Sequence, residues 1–307
     1  MSTRAGGLLR TPAGRLRAPW RLAAYVGVLV VSSLVALGLV GPAVDVAGRA
    51  TGIAIEPFWW AMVVALVGTH AVMIRWVDDA PWDAVWLGRE AARPPRWLFG
   101  TIVGVIAIAI PTTLLLGAGW LRAEDAPDGS WAMAAARAAL LLLPAALAEE
   151  LFFRGYPFRI LGDAWGWVPA VIVTSVVFGL VHAQNPGAGV QNVSVVVLAG
   201  AFLAVIVLVT RSLYAAWMAH FGWNWTMSAV FHSAVSGAGV ETPDYRVVDA
   251  GPDWATGGAW GPEGGAAAAL GMLCVGGLLL ARGRAADRRL QSPELRTAAG
   301  RREEPYA

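Results

Sequence analysis

Apolar runs long enough to cross a bilayer are the feature that most restricts the fold of this chain. A membrane-spanning helix takes about 20 mostly apolar residues. Eight runs of roughly this length follow one another, at residues 22–41, 57–77, 97–120, 132–153, 167–183, 190–210, 212–232 and 264–281. Charged residues make up only 14% of the 307 residues, against about 25% in a soluble domain. The pattern therefore predicts an all-α, polytopic integral membrane protein with about eight transmembrane helices.

The arginines predict how these helices are oriented. They concentrate before the first run, between the second and third, and after the fourth, sixth and eighth, whereas the alternate loops are mostly acidic. Short cytoplasmic loops of membrane proteins carry an excess of positive residues. We therefore expect a multi-pass protein of the cell membrane with both termini in the cytoplasm. The net charge of only +2 gives no indication of a nucleic-acid partner.

Composition divides the chain into three parts. Residues 1–21 are a basic cytoplasmic segment, residues 22–281 an eight-helix membrane domain, and residues 282–307 a charged cytoplasmic tail. The tail contains few apolar residues, and this composition predicts disorder. Within the membrane domain, the loop from Ser233 to Gly264 is rich in glycine, proline and aspartate, so we expect it to be irregular and exposed.

Polar and ionisable residues interrupt three of the apolar runs, the fourth, the fifth and the seventh. These residues are Glu149, Glu150, Arg154, His182, His220 and Asn224. A charged group in the hydrocarbon core costs about 2.5–3.5 kcal/mol on insertion scales, and such groups usually face one another or a wet cavity. The set of glutamate, two histidines and asparagine indicates a hydrolytic site. His70, alone in the second run, is predicted to be a buried hydrogen-bond partner.

Helical spacing separates the roles of the two neighbouring glutamates. Glu150 and Arg154 lie four residues apart on one helix face, which favours an ion pair. Adjacent helix residues point about 100° apart, so Glu149 faces elsewhere and is available to accept a proton from water. The alternative is that both glutamates are structural, neutralised by Arg154 and by protonation.

The histidines repeat the same four-residue spacing on two other helices. His182 follows Phe178 by four residues, and Asn224 follows His220 by four. Together with Glu149 they would supply a general base, its partner and donors for an oxyanion. The alternative is that these polar groups only hold the helices together by hydrogen bonds. Convergence at one depth requires either that the fourth helix continues through residues 156–161 or that the helices are tilted and broken.

The same residues form three motifs in a fixed order. Glu149 to Arg154 has the form EExxxR, Phe178 to His182 has the form FxxxH, and His220 to Asn224 has the form HxxxN. In this order, on separate spans, they resemble the CAAX-protease and bacteriocin-processing (CPBP, or Abi) family of intramembrane proteases. The resemblance covers about residues 131–232. It implies a glutamate-dependent endopeptidase in an eight-helix membrane fold that acts on a membrane-associated peptide or protein.

The resemblance also implies a role for each motif residue. Glu149 with His182 would activate the attacking water, while His220 and Asn224 would stabilise the oxyanion. The supporting residues would be Glu150, Arg154 and Phe178. Cleavage of prenylated substrates does not follow from the resemblance.

Two alternatives stay open at this point. One glutamate and two histidines can bind zinc with a water as the fourth ligand. However, no HExxH pair is present, Asn224 is a poor zinc ligand, and the resemblance implies metal-independent chemistry, so we predict no cofactor. The other alternative is a non-catalytic membrane scaffold, immunity factor or partner-binding protein of the same fold.

Overall fold

The computed structural model is mainly helical. It describes residues 7–11, 14–53, 55–239 and 242–290, with side chains described as far as residue 284. The α-helices are α1 (Ala18–Thr51), α2 (Pro57–Val72), α3 (Pro94–Gly117), α4 (Trp131–Arg154), α5 (Tyr156–Trp165), α6 (Trp167–Val181), α7 (Val190–Thr210), α8 (Leu213–Trp225), α9 (Asp253–Thr256) and α10 (Ala266–Leu290). The strands β1 (Leu121–Asp125) and β2 (Tyr245–Asp249) pair antiparallel.

Short 3₁₀ and π turns extend or connect several of these helices. The π turns are Met73–Asp78 and Thr226–Val230, and the 3₁₀ turns are Trp82–Val85, His182–Gln184, Gly258–Trp260 and Pro262–Gly264. The two π turns continue α2 and α8. Most of the regular structure therefore lies in segments of transmembrane length.

Seven helical segments of the described chain are long and apolar enough to cross a membrane. They are Ala18–Thr51, Pro57–Asp78, Pro94–Gly117, Trp131–Trp165, Trp167–Gln184, Val190–Thr210 and Ala266–Arg284. Their outward faces expose large apolar side chains such as Leu34, Leu114 and Val168, as expected for surfaces that contact lipid. The prediction of an all-α, polytopic membrane protein is confirmed.

The predicted seventh span, residues 212–232, differs from the others. It forms α8 and the following π turn, but it is not among the segments that satisfy the length and hydropathy criteria. His220 and Asn224 lower its hydropathy, and the helix lies inside the bundle, where it packs against α3, α4 and α7. The seventh hydrophobic run is therefore a buried central helix whose hydropathy is weaker than that of the lipid-facing spans.

Small residues allow α8 to approach α3 closely. A Cβ atom on Gly100 would lie 2.1 Å from the carbonyl oxygen of Ala215, and one on Gly104 would lie 2.0 Å from that of Ala219. Close backbone approach through small residues is a common way for membrane helices to associate. This packing fixes the axis of the helix that carries His220.

A break at Gly155 separates α4 from α5. The backbone N–H of Tyr156 donates to Nε2 of the buried His70 (2.9 Å). Because Nε2 accepts, the ring proton lies on Nδ1, which donates to the carbonyl of Leu66 (2.8 Å). A Cβ atom on Gly155 would lie 2.2 Å from His70 Nε2, so glycine is required here. His70 is thus a buried hydrogen-bond partner, and the fourth helix is broken at Gly155 instead of continuing through residues 156–161.

The loop from residue 233 to 264 does not match the expectation of an irregular, exposed segment. It contributes β2, α9 and two 3₁₀ turns, and Thr256, Trp260 and Glu263 are buried. Side-chain amides at the start of α7 satisfy several of its backbone carbonyls, including those of Gly257 and Gly264. The expectation was wrong because this loop folds back against the helices, and composition alone does not reveal that contact.

The ends of the membrane domain extend beyond their predicted limits. α1 begins at Ala18 and ends at Thr51, so it is longer than the predicted span 22–41. α10 ends at Leu290, beyond the predicted limit at residue 281 and inside the segment for which composition predicts disorder. The remainder of that tail lies outside the described residues.

Candidate active site

The face of α4 that carries Glu150 is closed and holds a buried ion pair. Glu150 Oε1 lies 3.1 Å from NH1 of Arg154, and both side chains are completely buried. NH2 of Arg154 donates to the carbonyl of Gly200 (3.0 Å), and the guanidinium carbon lies 4.3 Å from the ring centroid of Phe178. The predicted ion pair is therefore present, and a cation–π contact adds to it.

Glu150 also contacts α8, the helix formed by the predicted seventh span. Nδ1 of His220 lies 3.0 Å from Glu150 Oε1. A carboxylate accepts hydrogen bonds, so Nδ1 carries a proton and Nε2 points away from Glu150. The Arg154–Glu150–His220 chain thereby fixes the orientation of the His220 ring. Nδ1–H bonded to a carboxylate is a common way in which proteins orient a histidine.

His182 lies where α6 passes into a 3₁₀ turn. Its Nδ1 lies 2.7 Å from the carbonyl oxygen of Phe178. Since a carbonyl oxygen only accepts, Nδ1 donates and, in the neutral ring, Nε2 keeps its lone pair. The Phe178 ring packs between the two imidazoles, with centroid distances of 4.6 Å to His182 and 6.0 Å to His220. Phe178 thus supports both rings.

The side chain of Glu149 is more exposed than that of Glu150 and faces the two histidines. Its Oε2 lies 3.9 Å from Nε2 of His182 and 3.9 Å from Nε2 of His220. Among the described residues this oxygen has no hydrogen-bond partner, although it is buried. Distances of this size are too long for a direct hydrogen bond and suit a bridging water. Glu149 Oε2 thus lies equally far from the two imidazoles and bonds directly to neither.

A cavity lies beside these groups. His182, His220 and Asn224 line it together with apolar residues of α7 and α10. The volume that the centre of a water molecule can occupy in this cavity is about 40 Å³. One water molecule needs about 10–15 Å³ of such volume. The side-chain amide of Asn224 makes no hydrogen bond to other described residues and is available to a ligand. The structure therefore brings His182, His220 and Asn224 to one water-sized space, and Glu149 Oε2 lies 3.9 Å from Nε2 of both histidines.

Comparison with known families supplies an independent observation. Residues 131–226 match a family model described as Rce1-like, type II CAAX prenyl endopeptidase Rce1-like. Within this segment the chain is similar to that family. Comparison with curated proteins finds no match, and comparison with solved structures finds none.

The match includes every residue that the sequence predicts for the site. The matched segment extends from the start of α4 to the end of α8 and contains all three motifs. The family consists of membrane endopeptidases, so the match supports a protease embedded in the membrane with a peptide substrate. The role of each residue stays a prediction.

Other histidines lie away from this site. Nδ1 of His232 lies 2.8 Å from the carbonyl oxygen of Tyr245, and its ring stacks on the Tyr245 ring. His70 binds the break after α4. Among the described residues, no group of three or more histidine, cysteine, aspartate and glutamate side chains has the geometry of a metal site. Whether this site works without a metal stays a prediction.

Sequence reasoning did not identify two polar residues that line the cavity. Ser236 and Glu263 belong to the 233–264 loop, outside the matched segment, and they line the cavity together with Trp223. The only sequence signal was a glutamate between proline and glycine just before the last apolar run. That signal is weak, because charged residues are common at the ends of membrane helices.

Proposed function

We propose that this protein is an intramembrane endopeptidase that hydrolyses a peptide bond of a membrane-associated protein or peptide. The observation that carries the proposal is the position of Glu149 Oε2, 3.9 Å from Nε2 of both His182 and His220. A carboxylate that faces two imidazoles beside a water-sized cavity supplies the groups that general-base hydrolysis requires.

The first step would be attack by water on the scissile carbonyl. Glu149 takes one proton from the water while the water oxygen forms a bond to the carbonyl carbon. His182 holds the water through the lone pair on Nε2, because its Nδ1 is bonded to the Phe178 carbonyl. The proton then passes to the leaving nitrogen as the carbon–nitrogen bond breaks. The products are a carboxylic acid and an amine, and no other reactant is consumed.

The negative charge of the tetrahedral intermediate requires donors aimed at its oxygen. Two groups that line the cavity supply them. The amide of Asn224 donates an N–H, and His220 donates from Nε2 when both ring nitrogens carry protons. Glu150 lies at Nδ1 of His220 and balances the charge of the doubly protonated ring. The buried Arg154 holds Glu150 in this position.

The location follows from the same arguments. Seven apolar helical segments make this a multi-pass membrane protein. The arginine bias between alternate loops supports a cell-membrane location with both termini in the cytoplasm. In that orientation the 233–264 loop, next to the cavity, lies on the outer side.

The proposal is tested by changing the general base alone. Glu149→Gln keeps the size of the side chain and removes its ability to accept a proton, so cleavage should fall by about 10³-fold or more. The matched control is Glu124→Gln on the exposed strand β1, which should cleave normally. The measurement is cleavage of membrane peptides by purified protein, followed by mass spectrometry, with peptides from whole membranes compared between the two variants.

Cleavage that survives Glu149→Gln at the original rate would contradict the role of Glu149. A biological phenotype rescued equally by Glu149→Gln and by wild type would favour the non-catalytic alternative. In that case the polar cluster would serve to bind a partner.

A further inference from the structure

Two segments of the 233–264 loop fold over the cavity, and we call residues 233–239 and 252–265 the cap. Trp260 of the cap is buried in a cluster with Phe153, Phe178 and Val196. Phe178 is the residue that packs between the two site histidines. The cap therefore contacts the supporting layer of the site directly.

Polar side chains outside the cap hold its backbone. Asn185, which follows α6, donates to the carbonyl of Ser236 (3.0 Å). Gln191 at the start of α7 donates to the carbonyls of Asp253 (3.2 Å) and Trp254 (3.1 Å). These hydrogen bonds connect backbone carbonyls of both cap segments to residues outside the cap. The cap is thus an ordered structure that is hydrogen-bonded to the α6–α7 connection and to α7.

Glycines allow the two segments of the cap to approach each other and the bundle. Gly237 has a φ of +78° and donates to the carbonyl of Trp260 (3.1 Å). A Cβ atom on Gly237 would lie 2.1 Å from the carbonyl oxygen of Pro186. A side chain at this position would therefore push the cap away from the α6–α7 connection.

Glu263 joins the cap to the helix that carries the site. Its Oε2 accepts from Trp223 Nε1 (2.8 Å), and its Oε1 accepts from the backbone N–H and from the hydroxyl of Ser236 (2.7 Å for the hydroxyl). The carboxylate is buried. Among the described residues, no arginine or histidine nitrogen lies within 4.0 Å of the Glu263 carboxylate, the distance that defines an ion pair. Three donated hydrogen bonds therefore compensate its charge.

The partner of Glu263 on α8 lies among the site residues. Trp223 is adjacent to Asn224 and three residues after His220, and all three line the cavity. Hydrogen bonds to a charged group are stronger and more directional than those between neutral groups. The contact with Glu263 consequently restricts the indole, which forms a wall of the cavity beside the proposed oxyanion donor.

We propose that Glu263 is a positioning residue of the active site: it latches the cap over the catalytic cavity and fixes Trp223 beside Asn224. The catalytic part of this inference rests on the proposed function, whereas the latch is independent of it. Glu263 lies outside the segment that matches the family.

The experiment measures access to the cavity without any substrate. Ala199 lines the cavity, and Cys274 is the only cysteine of the chain. Ala199→Cys in a Cys274→Ala background therefore places one thiol inside the cavity. The measurement is the rate at which a polar maleimide labels this thiol in folded, detergent-solubilised protein. Labelling of intact protein reports opening of the cap at a temperature well below unfolding.

Glu263→Gln should raise the labelling rate about ten-fold or more, because the amide replaces a charged acceptor and presents an N–H to one of the donors. Trp223→Phe removes the indole donor and should raise the rate similarly. The double variant should be no faster than the faster single variant, because both changes break the same contact. The matched control is Asp253→Asn, an exposed carboxylate of the cap, which should label at the parental rate.

The proposed latch would be contradicted if Glu263→Gln labelled at the same rate as the control. It would also be contradicted if the two single changes raised the labelling rate independently, so that the double variant labelled faster than either single variant. If Glu263→Gln does not fold, Trp223→Phe and Ser236→Ala decide the question by the same measure, since each removes one hydrogen bond to the carboxylate. In a cleavage assay, Glu263→Gln should lower kcat by about ten-fold and change KM less. Faster labelling with normal kcat would retain the latch and overturn the positioning of Trp223.

Discussion

Two faces of α4, one turn from its end, carry the same side chain in opposite environments. Glu150 is completely buried and contacts both Arg154 and His220. Glu149, the preceding residue, has 22% of its side chain exposed and an oxygen without a hydrogen-bond partner among the described residues. The difference shows that a 100° rotation on one helix separates a carboxylate in a buried ion pair from one that faces two histidines. Changes on the Glu150 face should affect stability, and changes on the Glu149 face should affect turnover.

The largest effect on stability is expected at the Glu150 face. Arg154→Met leaves the carboxylate of Glu150 buried without its cation and should lower the free energy of unfolding by about 3–5 kcal/mol. The measurement is unfolding in detergent, by denaturant or by heat. The control is Arg93→Met, whose partner Glu90 is exposed and whose loss should cost about 0–1 kcal/mol.

A second variant sharpens this result. Glu150→Gln combined with Arg154→Met removes both charges, so it should be more stable than Arg154→Met alone. If the double variant is less stable than either single variant, the two side chains contribute through contacts other than their charge pair. The comparison between the faces of α4 would then lose its basis.

A slightly smaller effect, on turnover alone, is expected at the cavity. Asn224→Ala removes one proposed oxyanion donor and should lower kcat by about 10²–10³-fold, or about 3–4 kcal/mol. Because this amide makes no hydrogen bond to other described residues, the free energy of unfolding should change by less than about 0.5 kcal/mol. Peptide cleavage and unfolding are measured on the same preparation. A large loss of stability with unchanged kcat would assign Asn224 to packing instead.

No effect is expected from metal removal. Incubation with excess chelator should leave peptide cleavage unchanged, because the proposed base is Glu149 and the proposed oxyanion donors are nitrogen atoms of the protein. Activity that is lost with chelator and restored by zinc alone would favour the zinc alternative, in which Glu149, His182 and His220 bind the metal. Activity is assayed after removal of the chelator and after addition of zinc.

The sequence predicted the parts of the site that depend on local helix geometry. The i, i+4 spacing predicted the Glu150–Arg154 contact, and the same spacing placed His182 beside Phe178. Hydropathy was a weaker guide to α8, the helix that carries His220 and Asn224. α8 is a buried bundle helix, and the hydropathy criterion detects lipid-facing helices best, so the helix carrying His220 falls outside it.

The cap was missed for a different reason. Glycine, proline and aspartate favour turns, and their abundance between residues 233 and 264 led to the expectation of an exposed loop. The same residues permit tight packing when side chains elsewhere supply hydrogen bonds, as Gln191 does here. Those donors lie about sixty residues away in the chain, so no local pattern reveals them.

The amino-acid sequence by itself determined the membrane class, the helical fold and the pairing within each helix, because these follow from hydrophobicity and a period of 3.6 residues. Only the tertiary structure brought Glu149 within 3.9 Å of His182 and His220 and placed Glu263 against Trp223. Those distances depend on close packing of α3 on α8, on the break at Gly155 and on the folded cap. Each joins residues far apart in the chain, and contacts of that kind are decided by the packing of the whole bundle.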